Sequence, residues 1–237
     1  MKTVFPESIK AVMFDKDGTL LDFEKTWRPL VDKVMSELPS LAGVSSEELQ
    51  AGLAVLGINS DGFEPDSIFV KGNFAEMIEA LGPVDSDPMS SSAIKDYFLK
   101  LIGEADRLIV PHMFDAVPGV LNGLKSKGFR LALATSDRLE IAEMHIRACG
   151  IGSCFDSVFA DDGRTRPKPD RQMLDAFCTE HDLRAEQVAV VGDSMNDVLF
   201  GKNNGMGYTV YVRSGFPDKA AESLADIVLT GVGDIIC

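Results

Sequence analysis

The chain has 237 residues, 45% of them hydrophobic, and a formal net charge of −14 with an isoelectric point near 4.6. That is enough for one large domain or two modest ones around a packed core. The acidic balance excludes nucleic acid and anionic membrane surfaces as main partners, and no apolar run approaches the roughly 20 residues that span a bilayer.

The N-terminal residues, with Pro6 and Glu7 and no apolar centre, do not read as a signal peptide. Cys149, Cys154, Cys178 and Cys237 show no CxxC spacing, and His112, His145 and His181 do not cluster with them. Reduced thiols in a cytoplasmic protein are therefore expected, rather than a zinc site.

Taken in order, the chain first offers Ala11-Val12-Met13-Phe14 running into Asp15-Lys16-Asp17-Gly18-Thr19. A short buried strand delivers two carboxylates to its carboxyl end, and Gly18 lets the backbone turn there. Two such carboxylates repel each other unless a cation or a proton lies between them. Side chains alternate along an extended strand, so Lys16 is expected to point away from the rim.

Residues 22–112 then carry helical period. Phe23, Trp27, Leu30, Val31, Val34, Met35 and Leu38 form one apolar stripe, and Ser45 with Glu48 makes a capping box before Leu49, Leu53 and Leu56. Further stripes fall at 74–81 and 94–102, with loops at 57–66 and 82–92. This predicts a small helical bundle inserted after the first strand. From Pro118 the pattern alternates: helices at 120–127, 141–148, 171–181 and 195–203, strands at 130–134, 158–160, 188–191, 208–212 and 227–229. Alternation of this kind builds a parallel sheet with helices on both faces. The predicted fold is α/β: a Rossmann-like core from residues 1–21 and 113–237, and a helical domain at 22–112. His145, on an apolar stripe, reads as a core histidine.

Polar residues follow four strands: Asp15 and Asp17; Thr135-Ser136-Asp137; Asp161 and Asp162 with Lys168 between two prolines; and Asp193 with Asp197. Each has a simple alternative: Thr135, Asp137 or Asp193 as a helix cap, Lys168 as a solvated loop charge, Asp197 as a favourable first-turn charge. Open parallel sheets place ligands at this rim, so the four groups converge. Asp15 and Asp193 form a hard oxygen set suited to Mg²⁺. Lys168 and the Thr135 hydroxyl can bind phosphoryl oxygens, one carboxylate can attack phosphorus, and another two residues on can move the proton.

This ordered set resembles the haloacid dehalogenase superfamily of hydrolases with a helical cap, nearest the phosphoglycolate-phosphatase-like and β-phosphoglucomutase-like branches. The resemblance rests on Asp15-Lys16-Asp17-Gly18-Thr19, Thr135, Lys168 and Gly192-Asp193 with Asp197, and covers essentially the whole chain. It implies Asp15 as nucleophile and Asp17 as acid/base that also gives its backbone carbonyl to Mg²⁺. Asp193 is then a metal ligand, Thr135 and Lys168 orient the phosphoryl group, and Asp197 supports the metal's waters or Lys168. Ser136 stands where many relatives have Asn, which leaves the backbone N–H there for phosphate and puts side-chain contacts in doubt. Lys16 stands where relatives commonly carry a bulky apolar residue.

Asp17 favours hydrolysis of a small phosphomonoester over dehalogenation; a phosphosugar mutase is the alternative. A non-catalytic phospho-accepting or binding module is the further one, opposed by the inserted segment and the intact motif set. The implied partner is a small phosphorylated metabolite, with no nucleic acid or membrane, in a monomer or homodimer. Trp27, Arg28 and Lys71 are candidates for reading the leaving group; the simpler reading puts Trp27 in the helical core and leaves the two cations solvated.

Overall fold

A computed structural model describes residues 2–42, 45–59, 62–65, 67–72, 76, 79–80 and 109–236. The chain divides into two compact units, Met1–Phe23 with Pro111–Cys237, and Glu24–Val110.

The first unit is built on a six-stranded parallel sheet. Its strands are β1 (Ala11–Phe14), β4 (Arg130–Arg138), β5 (Ser157–Asp161), β6 (Val188–Gly192), β7 (Tyr208–Val212) and β8 (Ile227–Leu229), in the order β5-β4-β1-β6-β7-β8. Its helices are α4 (Val117–Ser126), α5 (Leu139–Ala148), α6 (Gln172–His181), α7 (Met195–Asn203) and α8 (Lys219–Leu224). The class predicted from the alternating pattern is the one observed.

β1 is the central strand because every residue of it is apolar and both of its faces are covered. Val12 and Phe14 point into one core with Val120, Leu121 and Leu124 of α4 and Ala142 and Ile146 of α5. Ala11 and Met13 point into the other, with Met173, Leu174 and Phe177 of α6 and Phe200 of α7. All four β1 side chains are fully buried, each larger one contributing about 1.5–3 kcal/mol of transfer free energy. A polar side chain at any of them would cost one face its core.

The register fixes the rim. Phe14 of β1 pairs with Leu133 of β4 and with Val191 of β6. Asp15, Ala134 and Gly192 therefore stand one residue further along three neighbouring strands, followed by Thr135 and Asp193. β4 continues past the predicted end at Ala134 to Arg138, and its register against β5 shifts between Ala134 and Arg138. Thr135, Ser136 and Asp137 lie in that irregular stretch, where a bulge re-aims side chains.

In the second unit, α1 (Phe23–Ala42) and α2 (Ser46–Val55) are followed by a short antiparallel pair, β2 (Ile58–Asn59) and β3 (Gly62–Phe63), and by one helical turn, α3 (Ile68–Lys71). The predicted loop at 57–66 thus holds a small hairpin, too short to show alternation. Leu30, Val31, Leu53 and Leu56 are buried as their stripes require. The stripe at 94–102 and most of the one at 74–81 lie outside the described residues. Among the described residues, no helix is long and apolar enough to cross a membrane.

Candidate active site

Two strands of the sheet and one helix bring the predicted acidic residues together. Asp15 follows β1, Asp193 follows β6, and Asp197 opens α7. Carboxylate oxygens of these three lie within 4.8 Å of one another. The backbone N–H of Asp15 donates to the Val191 carbonyl at 2.9 Å, extending the β1–β6 pairing by one step and fixing where its side chain starts.

Lys168 arrives from the loop between β5 and α6. Its Nζ donates to Asp15 Oδ1 at 2.6 Å and to Asp197 Oδ1 at 2.5 Å, with its side chain only 3% exposed. Asp197 is held in turn from the start of α7. Ser194, the N-cap, donates from N and Oγ to Asp197 Oδ2 at 3.1 and 2.5 Å, while its Oγ accepts from the Asp197 N–H at 3.3 Å. The cap is therefore Ser194, not Asp193. The Ser-x-x-Asp spacing carried that signal in the sequence.

Asp193 accepts from Thr19 Oγ1 at 3.2 Å. Its carboxylate lies so close to two backbone segments that a Cβ at Gly18, where φ is +75°, or at Gly215 would overlap it. Ser214 Oγ donates to the Gly18 carbonyl at 2.7 Å, tying the loop after β7 to the turn after β1. Thr19 closes the first motif, which assigns it no role; Ser194, Ser214 and Gly215 are not among the residues the sequence marks, and Ser214 and Gly215 carry no local signal.

Charge is unbalanced at this rim. Burial pushes the Asp15 carboxyl up to about 7, Lys168 pulling it down and Asp197 raising it. Burial, then the neighbouring Asp15 and Asp197, holds Asp193 well above the usual carboxylate range. For Lys168, burial disfavours the ammonium, but Asp15 and Asp197 more than offset it and hold it above the ordinary lysine range. Three carboxylates thus face one ammonium. A site of hard oxygens short of two positive charges fits a divalent cation such as Mg²⁺.

Thr135 is buried, and its Oγ1 accepts from the Asp137 N–H at 3.2 Å. Ser136 is half-buried beside it. Asp17 is not part of the three-carboxylate group: its Oδ2 lies 2.5 Å from Lys16 Nζ. This overturns the expected direction of Lys16. β1 ends at Phe14, so strand alternation no longer governs residue 16. Its carbonyl accepts from the N–H groups of Leu20 and Leu21 at 2.8 and 2.9 Å in a tight turn, and its side chain comes under the rim. Lys16 is fully buried and reaches Asp137 Oδ2 at 2.9 Å and His145 Nδ1 at 3.0 Å. His145 is a core histidine, as its apolar stripe implied. Burial and the Lys16 ammonium hold it neutral, with its pKa down at about 3.

Of the three candidates for reading a leaving group, Trp27 packs edge-on against Phe69 at 5.9 Å, and Phe69 stacks on Phe63 at 5.2 Å. Arg28 pairs with Asp32 at 2.8 Å, one helical turn on. The Lys71 side chain lies outside the described residues.

A parallel α/β sheet whose rim gathers three carboxylates, two of them paired with one buried lysine, is an arrangement suited to a metal-assisted enzyme. A family model described as haloacid dehalogenase-like hydrolase matches residues 9–205, and the chain belongs to that family. It falls among the family's phosphatases. It is 29% identical to a phosphoglycolate phosphatase of Vibrio cholerae, over 97% of this chain and 96% of that one. Among solved structures it is similar to a predicted phosphoglycolate phosphatase from Haemophilus somnus, at a TM-score of 0.72 and 20% identity over 96% of both chains. A putative β-phosphoglucomutase from Thermotoga maritima shares the fold at a TM-score of 0.63 and 22% identity, over 96% of this chain and 97% of that one.

Proposed function

We propose that this phosphatase hydrolyses a small phosphomonoester, phosphoglycolate-like or a sugar phosphate, through an aspartyl-phosphate on Asp15. The observation that carries the reading is the placement of Asp15: a partly buried carboxylate whose Oδ1 is held by Lys168 at 2.6 Å, at the carboxyl end of the central strand.

One Asp15 oxygen attacks phosphorus as the ester P–O bond breaks, and Asp17 gives its proton to the departing alkoxide. Water then attacks the phosphorus of the acyl phosphate, Asp17 takes a proton from it, and inorganic phosphate leaves with the Asp15 carboxylate restored. Lys168 stays charged throughout, because its two carboxylates hold its proton. It orients Asp15 and places a fixed cation beside the transferring phosphoryl group, with the Thr135 hydroxyl and the N–H of Ser136 as further donors. Asp15, Asp193 and the backbone carbonyl of Asp17 would hold Mg²⁺, with Asp197 supporting them through Lys168; when bound, the ion supplies charge stabilisation at the phosphoryl oxygens. Nucleophile and acid stand two positions apart, Asp15 directly after β1 and Asp17 on the turn that carries Gly18.

Residues 22–112 correspond in sequence position to the helical cap of the family, the segment to which we assign leaving-group selectivity. The free thiols of Cys149, Cys154 and Cys178 support a cytoplasmic setting. The test is phosphate release from a panel of small phosphomonoesters, phosphoglycolate and hexose phosphates included, with Mg²⁺ and with EDTA. Metal-dependent release from small esters is the expected result. Turnover of nucleotides or phosphoproteins alone would overturn the substrate class.

A further inference from the structure

A second lysine serves the site from below. The end of β1, the irregular end of β4 and helix α5 converge on one ammonium. Lys16 Nζ lies 2.5 Å from Asp17 Oδ2, 2.9 Å from Asp137 Oδ2 and 3.0 Å from His145 Nδ1. The ammonium hydrogen-bonds to Asp17 and His145 and pairs by charge with the Asp137 carboxylate. Lys16 is completely sequestered, while the side chains of Asp17 and Asp137 retain 15% and 20% exposure.

Taking an ammonium out of water costs several kcal/mol, and a buried ion pair seldom returns more than that in stability. An apolar side chain of similar length would fill the same volume without the penalty. What such a side chain could not do is fix a carboxylate. Asp17 sits on the turn that carries Gly18, and its carboxyl lies beside that of Asp137 at the ammonium they share. Without it, two carboxylates would face each other across a cavity.

We propose that Lys16 is a positioning residue for Asp17: anchored by Asp137 and His145, its ammonium holds the Asp17 carboxylate in the orientation that passes a proton to the leaving group. The inference rests on the reading of Asp17 as general acid. It concerns alignment, and small misplacements of a reacting group cost up to about 10²-fold in rate.

The leaving group separates alignment from general damage. An alkyl alcohol departs only with a proton from Asp17, whereas 4-nitrophenolate departs as the anion. For both esters kcat/KM reports the steps up to phosphoryl transfer onto Asp15. The experiment compares kcat/KM for 2-phosphoglycolate and for 4-nitrophenyl phosphate, in the full chain with Mg²⁺, between the wild type and Lys16→Met. The expected result is a fall of about 30-fold or more for the alkyl ester and less than about 3-fold for the aryl ester. Should Lys16→Met fail to fold by circular dichroism, Asp137→Asn takes its place; it keeps the shape of the anchor, and the same bias is expected at smaller size. Equal losses on both esters, or none, in a folded variant would overturn the inference alone. If the wild type released no phosphate at a measurable rate from these esters or from any other member of the panel, the phosphatase reading and this inference would fall together.

Discussion

The two halves of this site solve one problem in two ways. On one side Lys168 joins Asp15 and Asp197, with Asp193 close by. On the other, Lys16 joins Asp17 and Asp137, with neutral His145 as the third partner. Both ammoniums are buried, and both stay charged because two carboxylates outweigh the burial that would neutralise them. The charge left over differs. Three carboxylates against one ammonium leave the Lys168 side short of two positive charges; two against one leave the Lys16 side short of one. The first half is built to take a divalent cation and a phosphoryl group, the second to hold a proton carrier in place.

The comparison breaks most visibly at the nucleophile. Asp15→Asn keeps the shape but loses the attacking oxygen, and turnover is expected to fall by at least about 10³-fold with unfolding unchanged; steady-state phosphate release and a thermal melt check both parts. Lys168→Met should follow, with kcat/KM down about 10²–10³-fold. Removing one partner from this buried group should also cost about 3 kcal/mol in the metal-free protein, read by urea unfolding. Gly215→Ala tests the close approach to Asp193. The added methyl must push that carboxylate aside, so the Mg²⁺ concentration for half-maximal activity is expected to rise about 10-fold or more.

The smallest expected effect sharpens the second half. His145 has its pKa lowered to about 3 by burial first and by Lys16 second, against an ordinary 6.5. A base with a depressed folded pKa contributes stability that is present above its unfolded pKa and lost as pH falls towards its folded value. Stability should therefore decline as pH falls from about 6.5 towards 3. Asp137 acts in the opposite sense, since burial raises it to about 6. The difference between wild type and His145→Gln isolates the histidine. Urea midpoints across that range measure it, and parallel curves would remove His145 from the account.

The two halves also differ in how well the amino-acid sequence announces them. Strands with unbroken apolar runs and polar residues at their ends are legible, and so the parallel sheet and the meeting of Asp15, Asp193, Asp197 and Lys168 follow from the pattern. Lys168 is far from Asp15 along the chain, yet each stands just beyond a recognisable strand. Lys16 is next to Asp15, and the pattern misplaces it, because Lys16 lies two residues past the end of β1, where alternation no longer applies. Tertiary contact, not local period, sets its direction. The same limit applies to the β2–β3 pair, only two residues long on each side, to α8, and to Gly215, whose importance is the proximity of a carboxylate from another loop.

The most direct test of the account is the mass of Asp17→Asn after brief exposure to 4-nitrophenyl phosphate and Mg²⁺, quenched in acid. The aryl ester needs no acid to leave, whereas hydrolysis of the acyl phosphate needs the missing base, so the enzyme should accumulate one phosphoryl group on the peptide containing Asp15. An unmodified protein that releases inorganic phosphate at the wild-type rate would contradict both the nucleophile and the proton carrier.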